Sequence, residues 1–254
     1  MHLVTMTTDF GMQDYYVSML KGAMLQAVPT IRFTDITHMV KPYDIVQGAF
    51  VLKNAFDSFP AGTLHLITVN NRPEPTDFIA FRHQDHYFIG PDNGIFSLMF
   101  EELPPTVHRF PTDPFHSFPL KKLLASGVSS FFSDAPFSSV DLLEGKPVTR
   151  IALQPVISTS QIRGAVIYID HYENAIVNIR RDLFDKVRQG RPFQLFFKRH
   201  DPVSTLSSHY GDVPVGETLC LFNSAGFLEI AIHMGKASSM LGLSLDDMVQ
   251  VDFS

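Results

Sequence analysis

Two patterns of hydrophobic and polar positions follow each other along the chain, and they meet at a Ser- and Pro-rich stretch at 133–162. Before that stretch, short apolar runs alternate with segments whose apolar residues have helical spacing, which predicts strands and helices in turn. After it, short apolar runs are separated by turn signals, which predicts strands alone. The sequence therefore predicts an α/β N-terminal domain at 1–155 and an all-β, barrel-like C-terminal domain at 163–254.

The pattern also predicts where the individual elements lie. In the first domain it predicts strands at 3–6, 31–35 and 63–69, a hairpin at 79–82 and 87–89, and helices at 15–20, 44–56 and 121–132. The first helix is expected to be interrupted at Lys21–Gly22, and the second to be capped by Asp44. In the second domain it predicts strands at 163–170, 174–179, 193–199, 218–223 and 226–232.

Two acidic residues follow the first predicted strand. Asp9 follows Thr7 and Thr8 at the point where this strand would end, and Asp14 precedes the first helix. Ligands of open α/β sheets bind beyond the carboxyl ends of the strands, where one carboxylate can accept hydrogen bonds from a ribose diol and another can pair with an ammonium group. The alternative is that Asp9 only caps the helix. Tyr43 follows Pro42 and is expected to be extended, so that its ring can cover a ligand.

Composition excludes several classes of function. The net charge of −6 and the pI near 6.0 argue against general nucleic-acid binding, which needs a basic face. A single cysteine excludes an intrachain disulfide framework. No stretch has the length of a membrane-spanning helix and the N-terminus lacks a signal-peptide pattern, so we expect a cytoplasmic protein with no membrane partner.

The histidines do not form a metal-binding pattern, and we expect no metal and no cofactor. No Cys/His cluster is present, and His83 and His86 flank a hairpin turn where solvated side chains are expected. No Gly-rich phosphate-binding loop exists either. His116 lies in a proline-rich loop, where it is either functional or bonded to a carbonyl. The segment PDNG at 91–94 is consistent with a tight turn alone.

Taken in order, seven segments resemble the S-adenosyl-L-methionine hydroxide adenosyltransferases, relatives of the fluorinases and chlorinases. The segments are TTDFGMQDYYVSMLKG at 7–22, DITHMVKPYDIVQGAF at 35–50, FPAGTLHLITV at 59–69, PDNG at 91–94, FHS at 115–117, YIDHYENAIVNI at 168–179 and FNSAGFLEIAI at 222–232. They cover nearly the whole chain, and the ordered set is specific although each motif alone is weak.

The resemblance implies a homotrimer that binds an adenosyl ligand between the N-terminal domain of one subunit and the C-terminal domain of its neighbour. Asp9 would then hold the ribose hydroxyls, and Asp14 and Asp170 the methionine ammonium group. The remaining ligand positions would be Tyr43 over the ligand, Ser117 near the reacting centre, Tyr172, Asn174 and Tyr210 around adenine, and Ser224 at the methionine carboxylate.

The chain departs from the family at the catalytic loop. Hydrolytic members carry Asp–Pro–Gly–Val–Gly followed by an arginine, whereas this chain has Asn70 in place of the aspartate and a shorter loop at 71–77. His116 keeps its place but is followed by Ser117 instead of glycine. The sequence therefore leaves three alternatives: a divergent hydrolase in which His116 and Asn70 assist water, a catalytically silent adenosyl-binding protein, and an enzyme for another adenosyl compound or nucleophile.

Overall fold

The structure is a computed structural model that describes residues 2–70, 77–112 and 118–254, and it divides into two compact units at residues 1–152 and 153–254. In the described part of the first unit the strands are β1 (His2–Thr8), β2 (Ile31–Thr37), β3 (Leu64–Thr68), β4 (Phe78–His83), β5 (His86–Pro91) and β6 (His108–Phe110). The helices are α1 (Tyr16–Ala27), α2 (Ile45–Lys53), α3 (Ile95–Met99) and α4 (Leu120–Phe131).

One mixed sheet organises the first unit, with strand order β2-β1-β3-β5-β4-β6. Strands β2, β1, β3 and β5 are parallel, and β4 pairs antiparallel with β5 and β6. Leu66 packs with α1 and α4, whereas its neighbour Ile67 packs with α2 and α3, because successive strand residues point to opposite faces. Both faces are therefore covered, and the carboxyl ends of the parallel strands meet at one edge of the sheet.

The first helix is longer than the pattern predicts. Helix α1 continues through Gly22 to Ala27, so the interruption expected at Lys21–Gly22 is wrong. Leu20 and Met24 are fully buried and share a core with α4. Burial of these two side chains outweighs the helix-propensity cost of glycine, which is about 1 kcal/mol. The predicted cap of α2 is confirmed, because the Asp44 carboxylate accepts a hydrogen bond from the Gln47 amide at 2.9 Å.

A buried polar chain crosses the middle of this sheet. The Thr5 hydroxyl lies 2.7 Å from His65 Nδ1, and His65 Nε2 lies 3.1 Å from His86 Nδ1. His86 is 6% exposed, so the expectation that it is solvated is wrong. Burial, assisted by the charge on His86, lowers the pKa of His65 to about 3. His65 is therefore a neutral part of the core at physiological pH.

The second unit is mainly β-structure, and the predicted fold class of both domains is confirmed. Its elements are β7 (Val156–Ile157), β8 (Gln161–Ile169), β9 (Ala175–Arg180), α5 (Arg181–Arg188), β10 (Phe193–Phe197), β11 (Thr218–Phe222), β12 (Phe227–Ile232), α6 (Ala237–Leu241) and β13 (Met248–Phe253). The sheet order is β10-β13-β8-β9-β12-β11, with antiparallel pairing along this path, and β7 pairs with β8.

Two features of this unit differ from the predicted all-strand pattern. Helices α5 and α6 were not expected, and α5 buries Phe184 completely among the rings of Phe193, Phe222 and Phe253, each with a centroid distance of 5.3 Å. Strand β13 was not expected either, although Val249, Val251 and Phe253 alternate with more exposed residues. In the part of the chain that the structure describes, no helix is long and apolar enough to cross a membrane.

Candidate functional site

The carboxyl edge of the first sheet brings together loops that are far apart in sequence. Asp9 follows β1, Tyr43 lies in the loop after β2, and Asn70 follows β3. Asp9 Oδ2 accepts the backbone N–H groups of Tyr43 at 2.9 Å and of Asn70 at 3.0 Å. One carboxylate oxygen therefore joins three loops at the edge where ligands of such sheets bind.

Asp9 is not a helix cap. Helix α1 begins after Tyr15, which makes no side-chain capping bond, so the capping alternative for Asp9 is wrong. Asp9 Oδ1 accepts no hydrogen bond from the described residues, and the side chain is half-buried. A half-buried carboxylate with one oxygen saturated and the other available can accept hydrogen bonds from a diol.

The two residues that donate to Asp9 have left-handed backbones. Tyr43 has a φ of 69° and Asn70 a φ of 57°, so the extended conformation predicted for Tyr43 is wrong. A left-handed aromatic residue is energetically unfavourable and persists only where its surroundings hold it. The bonds to Asp9 supply part of that restraint. The Tyr43 side chain is 70% exposed, as a ring that covers a ligand would be before the ligand binds.

Two further residues, neither of them predicted, brace the same edge. His38 is 2% exposed, its Nδ1 lies 2.9 Å from the Thr8 hydroxyl, and its Nε2 lies 3.1 Å from the Asp35 carboxylate. Burial lowers the pKa of His38 more than the Asp35 charge raises it. Asn93 donates its side-chain N–H to the Val69 carbonyl at 3.0 Å. The PDNG segment is therefore a turn that also fastens the end of β3.

The other predicted positions of the first unit are not brought into this hydrogen-bonded group. Asp14 is exposed in the turn before α1. His116 and Ser117 lie outside the described residues, as does the loop at 71–76 that follows Asn70. The predicted roles of His116, Ser117 and Asn70 therefore remain predictions.

A second group of predicted ligand residues lies in the second unit. Asp170 follows β8, and its two carboxylate oxygens accept the backbone N–H of Asn174 at 2.8 Å and the side-chain N–H of the same residue at 3.1 Å. Asn174 is 6% exposed, whereas Tyr172 between them is 75% exposed. The loop thus combines one solvent-exposed aromatic side chain with a carboxylate that is fixed by hydrogen bonds.

Tyr210 and Ser224 are connected through a residue that the sequence analysis missed. Glu229 on β12 is 3% exposed and accepts hydrogen bonds from the Tyr210 hydroxyl at 2.7 Å and from Asn223 Nδ2 at 3.2 Å. Asn223 begins the turn that carries the exposed Ser224. Burial raises the pKa of Glu229 and also that of Tyr210. The signal for Glu229 was present in the sequence, because it is the one charged residue in the otherwise apolar strand FLEIAI.

These clusters offer carboxylates, amides and aromatic rings, which suit a neutral sugar, a purine and an ammonium group. Within the described ranges, no group of three or more His, Cys, Asp or Glu side chains is arranged to hold a metal ion. The single cysteine, Cys220, is buried, and burial raises its thiol pKa to about 12, so it is not a reactive thiolate.

Comparison with known proteins connects both units to one family. The model of the SAM hydroxide adenosyltransferase N-terminal domain matches residues 4–139, and that of the C-terminal domain matches residues 164–250. The chain is 25% identical to the (R)-S-adenosyl-L-methionine hydrolase of Methanocaldococcus jannaschii, over 98% of this chain and 95% of that protein. It is 27% identical to the enzyme of the same name from Thermus thermophilus, over 96% of each chain.

A solved structure agrees with the sequence comparisons. The crystal structure of an uncharacterised conserved protein from Thermotoga maritima superposes with a TM-score of 0.82 at 26% identity, covering 98% of this chain and 99% of that one. The two family models follow each other in the family's order and together match most of the chain. The chain therefore belongs to the SAM hydroxide adenosyltransferase family.

Proposed function

We propose that this protein hydrolyses S-adenosyl-L-methionine to adenosine and L-methionine. The observation that carries the proposal is the Asp9 carboxylate, which is fixed by two loop amides at the ligand-binding edge of the sheet, while its second oxygen accepts no hydrogen bond from the residues that the structure describes and can serve a ribose diol. The names of the two hydrolase relatives support the same reaction. Asp14 and Asp170 are proposed to bind the ammonium group of the methionine moiety, and Ser224 its carboxylate.

The proposed reaction is a displacement at the ribose C5′. The oxygen of water forms a bond to C5′ while the C5′–S bond breaks, and its electron pair leaves with sulfur to give neutral methionine. The leaving group is a thioether, so no general acid is needed. The proton of the attacking water is taken up by a base, for which His116 is the proposed group. The reaction requires no cofactor.

Asn70 is the specific observation that favours a second candidate, a catalytically silent adenosyl-binding protein. A carboxamide cannot compensate the charge of a histidine or orient water as an aspartate does. Asn70 nevertheless keeps its backbone bond to Asp9. The substitution therefore removes a charge from the catalytic loop while it retains the architecture that the ligand would need.

One incubation separates the two candidates. Purified protein is incubated with S-adenosyl-L-methionine in H₂¹⁸O, and adenosine is followed by chromatography and mass spectrometry beside an Asp9→Asn control. Hydrolysis at C5′ predicts adenosine with ¹⁸O at the 5′-hydroxyl. Binding of adenosine without any turnover would support the silent protein instead, and tight ATP binding with no adenosine binding would contradict both.

We also propose that the protein is a cytoplasmic homotrimer with sites at its subunit interfaces. Large side chains with apolar surface are exposed in each unit, among them Met12 and Met39 in the first and the predicted ligand residue Tyr172 in the second, at 66%, 67% and 75%. Such exposure is typical of association surfaces. Light scattering of the purified protein should report three chains per particle, and a monomer that still binds adenosine would contradict this.

A further inference from the structure

The buried Glu229 carboxylate connects two parts of the second unit that the family resemblance assigns to different ends of the ligand. Its Oε1 atom accepts the Tyr210 hydroxyl proton at 2.7 Å, and its Oε2 atom accepts Asn223 Nδ2–H at 3.2 Å. Each carboxylate oxygen therefore holds one partner. Both bonds form in a place where the side chain is 3% exposed, so water cannot replace them readily.

The first partner is an aromatic ring that is held at its hydroxyl and at its backbone. Tyr210 is 45% exposed, although its hydroxyl is bonded to the buried carboxylate. The backbone of this residue lies in a short helical turn, Tyr210–Asp212, in which the Asp212 carboxylate accepts the Ser208 and His209 amides. A ring that is anchored at both ends and exposed between them is a rigid platform for a planar base.

The second partner organises the turn that carries Ser224. Asn223 Oδ1 accepts the backbone N–H groups of Ala225 at 3.1 Å and of Phe227 at 3.2 Å. Because this oxygen is already used twice, Asn223 must present its N–H to Glu229 and cannot flip without losing the turn. Glu229 thereby fixes the orientation of the Asn223 amide, and the amide fixes the turn.

We propose that Glu229 is a positioning residue of the adenosyl site, which holds the Tyr210 ring for the purine and the 223–226 turn for the methionine carboxylate as one unit. This inference rests on the proposed function for the identity of the ligand. It adds a buried residue that acts through Tyr210 and Asn223, and it predicts that loss of Glu229 weakens the binding of both ends together.

The test measures the binding of adenosine and of L-methionine separately by calorimetry, with turnover recorded on its own. Glu229→Ala should raise the Kd of both ligands by about tenfold or more, the effect expected when two hydrogen bonds to a charged group are lost. Tyr210→Phe should raise only the adenosine Kd, and Asn223→Ala only the methionine Kd. Glu217→Ala, which removes an exposed glutamate of the same unit, should change neither.

The conservative variant Glu229→Gln distinguishes positioning from charge. A glutamine can accept from Asn223 with its oxygen and donate to the Tyr210 oxygen with its N–H₂ group, so the arrangement survives without the charge. Its Kd values should stay within about threefold of the wild type. Equal losses in Glu229→Gln and Glu229→Ala would overturn the proposal, as would unchanged binding in a folded Glu229→Ala protein.

The remaining outcomes are also decisive. If Glu229→Ala does not fold, the separate effects of Tyr210→Phe and Asn223→Ala decide, and an equal effect of each on both ligands overturns the proposal. A wild-type protein that binds neither ligand overturns it as well. A protein that binds both ligands in a Glu229-dependent way but forms no adenosine contradicts the proposed hydrolysis and leaves the positioning role intact.

Discussion

Replacing Asp9 should destabilise the first unit as well as weaken ligand binding, and two substitutions separate these effects. Asp9→Ala removes the acceptor of the Tyr43 and Asn70 amides. Hydrogen bonds to a charged group contribute about 1.5 kcal/mol each at the lower end of their range. The lower end applies here because the Asp9 side chain is only half-buried. Loss of both bonds therefore costs about 3 kcal/mol before any relaxation. Relaxation of the left-handed Tyr43 returns about 1 kcal/mol.

The net cost of about 2 kcal/mol corresponds to a fall in Tm of about 4–8 °C in a protein of this size. Asp9→Asn keeps one oxygen that can accept both amides, so its loss should be at most about 1 kcal/mol. It also places a donor where the ribose diol requires an acceptor, which should raise the adenosine Kd by about 10–100-fold. Scanning calorimetry and isothermal titration measure the two quantities.

The control is Asp134→Ala, which removes an exposed aspartate of the same unit and should leave Tm unchanged within about 1 °C. A Tm for Asp9→Ala equal to that of the wild type would show that the carboxylate does not hold the loops. Wild-type adenosine affinity in Asp9→Asn would refute the ribose assignment while leaving the structural one in place.

Four other substitutions test separate parts of the molecule. If the protein is a hydrolase, Asn70→Asp should raise turnover by about tenfold or less, well below the roughly 10⁴-fold that an orienting carboxylate can contribute. His116→Ala should lower turnover in the wild type and in Asn70→Asp alike. Unchanged turnover in His116→Ala would show that another group activates water. Because the folded pKa of His65 is about 3 and its ordinary value is 6.5, the unfolded chain binds a proton that the folded chain does not, so the free energy of unfolding should fall as pH falls between these values. Between pH 7 and pH 5 the fall attributable to His65 should be about 2 kcal/mol in urea titrations, and it should be absent in His65→Gln. Gly22→Ala should stabilise α1 by about 0.5–1 kcal/mol, since a Cβ there meets no atom within 4 Å, and a lower Tm would show that the site is more crowded than described.

The sequence predicted the parts of the fold that depend on local pattern. The strand before Asp9, the capped helix after Asp44 and the hairpin of β4 and β5 each follow from residues close together in the chain. The motifs placed the chain in its family because their order spans both units. Local pattern failed at Gly22, where contacts with α4, about 100 residues away, decide the structure.

The resemblance to the family named residues for the candidate site, but it did not predict the hydrogen bonds that connect them. Nothing near Asp9 in sequence indicates that it binds amides 34 and 61 residues away. The left-handed backbone of Tyr43 is likewise a product of that long-range contact. Glu229 was not predicted because its hydrogen-bond partner Tyr210 is not close to it in sequence. Tyr210 lies 19 residues before it. Interactions of this kind are set by the tertiary fold, which single-sequence patterns do not encode.

The two hydrogen bonds to Asp9 should also slow hydrogen exchange of the loop amides in the free protein. Loop amides ordinarily exchange their hydrogens with solvent quickly, but those of Tyr43 and Asn70 are bonded to a carboxylate that is itself anchored at the end of a buried strand. Their exchange should therefore require opening of the sheet edge and be slow before any ligand is present. The entropy of ordering these loops is then lost during folding, and a ligand that arrives later does not have to supply it.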